Sequence, residues 1–126
     1  MRAAAVFLLS LLLAPAAALA CAGDFMVAGG PLKLAVTPQP APVPLNRPFA
    51  LELRVCEGAV AAMAVDAHMP AHRHGMNYRT AVTQTAPGTW RAEGLLFHMP
   101  GEWEFVFELR LADGGSRRLV HSLRLR

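Results

Sequence analysis

Imidazole and thioether side chains crowd into two short stretches of this chain. "DAHMPAHRHGMNY" (66–78) holds His68, Met69, His72, His74 and Met76, and "FHMPGEW" (97–103) repeats the triplet as His98, Met99 and Pro100. Four of the five histidines and three of the six methionines fall between residues 68 and 99. Neutral imidazole suits copper and zinc, whereas a thioether selects the soft Cu(I) ion. Zinc sites draw on histidine, cysteine and carboxylate. A mixed His/Met cluster therefore points to copper before zinc, with Cu(I) favoured.

The candidate ligands are His72, His74 and Met76 with His98 or Met99, flanked by Met69. His72 and His74 are two apart, so on a strand-like segment they share a face. Arg73 sits between them. A fixed positive charge at short range opposes a metal cation, so its side chain must point outward. His68 closes a strand and could lie on the core side. Packing offers a competing account of the same residues. Met69 and Met99 precede prolines at strand ends and could plug the end of a sandwich. His68 and His98 could bond loop carbonyls, and Gly75 and Gly101 could serve turn geometry alone. His121, in phase with Leu119 and Leu123, reads as a core histidine, and Trp90 and Trp103 read as core.

Catalysis has less support. A nucleophile would have to be Cys56 or a lone serine. Asp66 could orient His68, but the sequence offers no third partner. No glycine-rich loop of the phosphate-cradling kind occurs. The chain reads as non-enzymatic.

What must position these ligands is one small domain. The 126 residues allow no more. Residues 1–20 have a basic start, an apolar run (Ala3–Leu13) and "APAAALA", the pattern of a secretory signal. The run is too short for a permanent membrane span, and no other stretch is long and apolar enough. The expected site of action is the periplasm or the exterior. Ala18-Leu19-Ala20 is a good cleavage site, and Cys21 behind it leaves a lipid anchor as an alternative. Without the signal, eleven Lys/Arg face nine Asp/Glu, a net of +2. The basic residues are scattered and not interleaved with aromatics, so nucleic acid is excluded as the expected partner. Cys21 and Cys56 are disulfide candidates in an oxidising compartment.

Residues 21–31 read as a loose leader and 32–126 as the domain. Strands are expected at 32–36, 49–55, 60–68, 77–85, 89–97, 102–111 and 117–125, with five prolines in 37–48 marking an extended connection. The segment 60–68 is alanine-rich and could be helical, but its valines favour a strand. Asp113-Gly114-Gly115 is a hairpin signal. About seven strands and no convincing helix imply an all-β, antiparallel immunoglobulin-like β-sandwich. If successive strands alternate in direction, two of them separate the loops at 69–76 and 98–101. Both loops then fall at one end, and Cys56 falls at the other.

"MPAHRHGMNY", "GTWRAEGLLFHMPGEWEF" and the preceding "AVDA" resemble the YtkA-like family of small exported bacterial domains and, more distantly, FixH-like proteins tied to oxidase assembly and copper handling. The resemblance spans residues ~47–111 and is most specific at Met-Pro-x-His-x-His-Gly-Met. It implies an immunoglobulin-like sandwich in the cell envelope, with a copper role falling on Met69, His72, His74, Met76, His98 and Met99. The chain lacks the retained transmembrane anchor of FixH-like proteins, which weakens a direct role in oxidase assembly. Two functions follow as expectations: copper handling, with transfer to a cell-envelope protein, or a metal-free interaction module using the same loops.

Overall fold

A computed structural model describes residues 20–126; the signal-like segment 1–19 lies outside it. The described chain is all-β, with strands β1 (Phe25–Gly29), β2 (Leu32–Gln39), β3 (Pro48–Glu57), β4 (Val60–Met69), β5 (His74–Gly75), β6 (Ala81–Ala86), β7 (Thr89–Leu96), β8 (Gly101–Leu111) and β9 (Ser116–Leu125). Its one helical element is the short 3-10 turn Pro70–His72. Two antiparallel sheets face each other, ordered β1-β2-β3-β7-β6 and β5-β4-β8-β9. The subset β2-β3-β7-β6 against β4-β8-β9 is the immunoglobulin ABED/CFG arrangement. β1 extends one sheet and the two-residue β5 extends the other, which is why nine strands stand where about seven were expected.

Alternation builds the core. Trp103, Phe105, Phe107, Leu109 and Leu111 of β8 are buried, while Glu104, Glu108 and Arg110 line its other face. β4 shows pairing overriding intrinsic preference. Its alanines favour a helix in isolation, yet Met63, Val65, Ala67 and Met69 are buried in strict alternation. The partner is β8, in continuous register from Ala62↔Arg110 to His68↔Glu104. Phe97 and Trp103 stack with centroids 4.3 Å apart, and Phe105 and Phe49 pack against Phe97.

Three expectations need correction. The segment 21–31 is not a loose leader, because Phe25–Gly29 pair with β2. Residues 77–80 lie outside β6, whose pairing with β7 begins at Ala81↔Glu93. β2 runs on through Pro38 to Gln39, inside the expected proline-rich connection. The last β1 partner of β2 is Val36, so Pro38 sits where β2 has become an edge. A missing donor on an edge breaks no ladder.

Cys21 and Cys56 form a disulfide, with Cα atoms 5.6 Å apart. The chain bends near Asp24, and Gly23 lies so close on β2 that a Cβ there would meet the Val36 backbone at 2.7 Å. On the edge where β1 meets β9, His121 shares a side with Leu119 and stacks on Phe25, with centroids 3.9 Å apart. It is half-buried, and desolvation lowers its pKa from 6.5.

Candidate functional site

Both His/Met stretches are connections that cross between the sheets. β4 delivers the chain at Met69; β6 and β7 belong to the other sheet; β8 returns it at Gly101. The loops around residues 70–76 and 97–101 therefore share one end of the sandwich. Cys56 lies near the opposite end of β3, whose residues Pro48 and Arg54 pair with Leu96 and Thr89. Eight residues of strand from Pro48 to Cys56 span roughly 26 Å.

Local geometry aims each imidazole. After Met69 the 3-10 turn carries His72, and Arg73 adopts a left-handed φ of 53°. That reversal brings His74 back opposite Met69, with Gly75 opposite His68. Directly opposed residues share a sheet face, so His74 leans to the core side with Met69. His72 stays exposed on its turn. The strand parity expected for His72 and His74 therefore fails at Arg73, yet their rings remain 5.6 Å apart between centroids. Arg73 itself is exposed.

His74 and His98 meet, with ring centroids 5.3 Å apart and an interplanar angle of 33°. Beneath them lies Trp103. Its ring is edge-to-face with both, at 6.1 Å from His74 and 5.6 Å from His98. Trp103 is fully buried, stacks on Phe97, and donates its indole N–H to the Met99 carbonyl at 3.0 Å. That bond ties the second loop to the core. Trp103 is thus a core residue, as its phase indicates, and also the floor of the rim. Its phase with Phe105 shows burial but does not show that two imidazoles rest on it.

His74 Nδ1 lies 3.1 Å from the Gly75 carbonyl oxygen. A carbonyl can only accept, so Nδ1 carries the proton and donates it. Nε2 then keeps its lone pair, as in metal-ligating histidines whose other nitrogen is held by a carbonyl. With metal–nitrogen bonds of about 2.0–2.1 Å, rings at this spacing can address one ion.

The sulfurs divide. Met69 is 1 % exposed and packs in the core; its methyl carbon lies 2.7 Å from where a Cβ on Gly101 would sit. Gly101 also has φ +126°, so that turn requires glycine. Met69 is therefore an end plug beneath the second loop. Met76 and Met99 are half-buried against the core edge. His68 does not join the group. Ala67 and Met69 face the core, so His68 faces outward, correcting its placement on the core side, and its Nε2 lies 3.1 Å from Glu104 Oε1. Among the described residues no three His, Cys, Asp or Glu side chains form a metal-holding group. The rim thus offers two close imidazoles, a third nearby and the half-buried Met99 next to His98 in the chain, while Met76, two residues past His74, lines a groove with Asp66, Tyr78, Arg79 and Glu108: a sparse donor set. Such a set suits low-coordinate Cu(I) better than a four-ligand zinc site.

Compared with protein-family models, curated proteins and solved structures, the chain matches none.

Proposed function

We propose that this chain is an exported, non-enzymatic copper-handling protein that binds Cu(I) at the rim of its sandwich. His74 and His98 are the principal ligands, and Met76 and Met99 supply soft donors. His72 is positioned to enter as an exchanging ligand, since it is exposed on the flanking turn. The observation that carries this reading is the 5.3 Å approach of two imidazoles from distant parts of the chain, one with its Nδ1 proton held by a carbonyl. The signal-like residues 1–20 and the disulfide support an oxidising compartment outside the cytosol. Ligands on loops over a rigid aromatic floor can exchange without unfolding the domain, which suits transfer to a cell-envelope protein.

Titration of the mature protein with Cu(I) against a competing chelator tests the reading. Replacing His74 and His98 together by alanine is expected to weaken binding by on the order of a hundredfold. Equal affinity in wild type and the double variant sinks it, and the interaction-module reading then inherits the loops.

A further inference from the structure

We propose that a second copy of this chain docks on the free edge of β4, antiparallel, with the two Met63 residues facing each other across a twofold axis. One side of the sandwich is closed, because β1 packs against β9 and Phe25 stacks on His121. The other side is open. β5 covers β4 only at His68 and Met69, so residues 60–67 have no strand partner on that side among the described residues. Two local bonds show which groups point there. The Thr80 hydroxyl donates to the Val65 carbonyl, and the Ala67 N–H donates to Asp66 Oδ1 at 2.8 Å. In an antiparallel strand alternate residues turn both N–H and C=O to the same side. Met63, in phase with Val65 and Ala67, therefore presents both groups to the open edge while its side chain stays in the core. Natural edges are blunted by lysine, proline, bulges or inward-pointing charge. "AMAV" (62–65) carries none of these; the one irregularity in the pairing with β8 lies before it, between Val60 and Ala62.

The flanking charges select the occupant. On the outer face of the sheet, Arg110 stands across from Ala62 and Glu108 across from Ala64. With Met63 on the axis, Ala62 of one copy faces Ala64 of the other. Each such rung has Arg110 at one end and the second copy's Glu108 at the other. The two lie roughly 15 Å apart by strand spacing, a gap that arginine and glutamate together reach across over alanine methyls. Ala62, Ala64, Glu108 and Arg110 line one shallow depression of about 290 Å³, so no side chain blocks that path. Arg110 takes part in no ion pair among the described residues, and Glu108 meets Arg118 through Oε1 alone. The pattern is self-complementary, as an isologous pair requires. Past Val65 the edge opens on a groove of about 490 Å³ bounded by Asp66, Met76 and residues 78–80, which takes the second copy's Ala61 and Val60. A foreign extended peptide needs side-chain pockets along the edge for specificity, and the outward residues flanking Met63 are alanines. β6, the free edge of the other sheet, is the weaker candidate. Its neighbours Arg91 and Glu93 already pair at 2.7 Å, and Arg91 also donates to Gln39.

The test is sedimentation velocity on the mature chain over a concentration series, with a copper chelator present so that metal bridging contributes nothing. A pairing this small is weak, with a Kd expected on the order of 100 µM. Two double variants carry the same change in net charge: Ala62→Lys/Ala64→Lys on β4, and Thr83→Lys/Thr85→Lys on β6. These positions are all exposed, and matched melting midpoints show that both variants fold. In the β4 variant each lysine faces a lysine of the second copy, and like charges directly opposed destabilise a pair. Its Kd is expected to rise by on the order of tenfold, with the β6 variant close to wild type. Arg110→Glu alone is expected to weaken association severalfold. Glu108→Arg/Arg110→Glu is expected to restore it, because the exchange keeps opposite charges at the ends of each rung. A wild type that stays monomeric at about ten times the expected Kd overturns the proposal. So does a loss confined to the β6 variant. Failure of the charge exchange to restore association overturns the axis at Met63.

Discussion

The two ends of this sandwich are stabilised in different ways. Near one end a covalent bond between Cys21 and Cys56 pins the N-terminal segment over β2, and opposite charges face each other at Lys33 and Glu57. At the other, the chain stacks Phe97 on Trp103, anchors the loop through the indole N–H, and lays His74 and His98 on top with nitrogen lone pairs to spare. The first arrangement closes the chain covalently. The second leaves donors half-exposed above a fully buried, stacked aromatic floor. Rigid support under incompletely satisfied side chains is what a ligand site needs, and the proposed copper function rests on this difference between the ends.

The sharpest way to break this comparison is Trp103→Ala. Removing a fully buried indole is expected to destabilise the fold by about 3–5 kcal/mol and to abolish Cu(I) binding with it; urea unfolding and the chelator titration read the two losses. Cys21→Ser with Cys56→Ser is the counterpart. It should destabilise by about 3–4 kcal/mol on the chain-entropy view and leave copper affinity unchanged. Were affinity to fall as far as stability, the ends would not be separate. His74→Ala alone reverses the pattern, with a loss of tens of fold in copper affinity and a stability change within about 1 kcal/mol, as for an incompletely buried side chain.

Smaller effects sharpen the contrast. The His121 ring stacks on Phe25 away from both ends, and burial lowers its pKa from 6.5. As pH falls, the unfolded chain protonates this histidine first, so stability rises with pH in this range. His121 therefore contributes its full stability above 6.5 and loses it as pH drops through the lowered folded value. In His121→Phe, denaturation midpoints measured on both sides of 6.5 should differ less than in wild type. His68→Ala should do least. Its partly exposed pair with Glu104 is worth under about 1 kcal/mol, and copper titration should not register its removal.

Much of this protein was legible in its residues. The alternation of Trp103, Phe105, Phe107, Leu109 and Leu111 marks β8 because a period of two leaves one face for burial. Counting strand directions brings the 70–76 and 98–101 loops together, because antiparallel connections preserve parity whichever sheet the strands join. The same count sends Cys56 to the other end. What period and parity lack is register and local backbone. Parity on residues 72 and 74 fails because Arg73 turns left-handed. Met69, grouped with the ligands by type, is a plug because it opposes His74 and lies under Gly101. β1 escaped notice because "FMVAG" has too few residues to show a period, and its place is set by pairing with β2.

By itself, then, the sequence determined seven of the nine strands, that their inner faces form one core, and that the loops at 70–76 and 98–101 fall at a common end. Only the tertiary structure decided that His74 meets His98, that Trp103 supports both, and that His68 turns away to Glu104. The reason is physical: a side chain's face follows from local backbone periodicity, but its neighbours follow from strand register and loop closure, which depend on residues far along the chain.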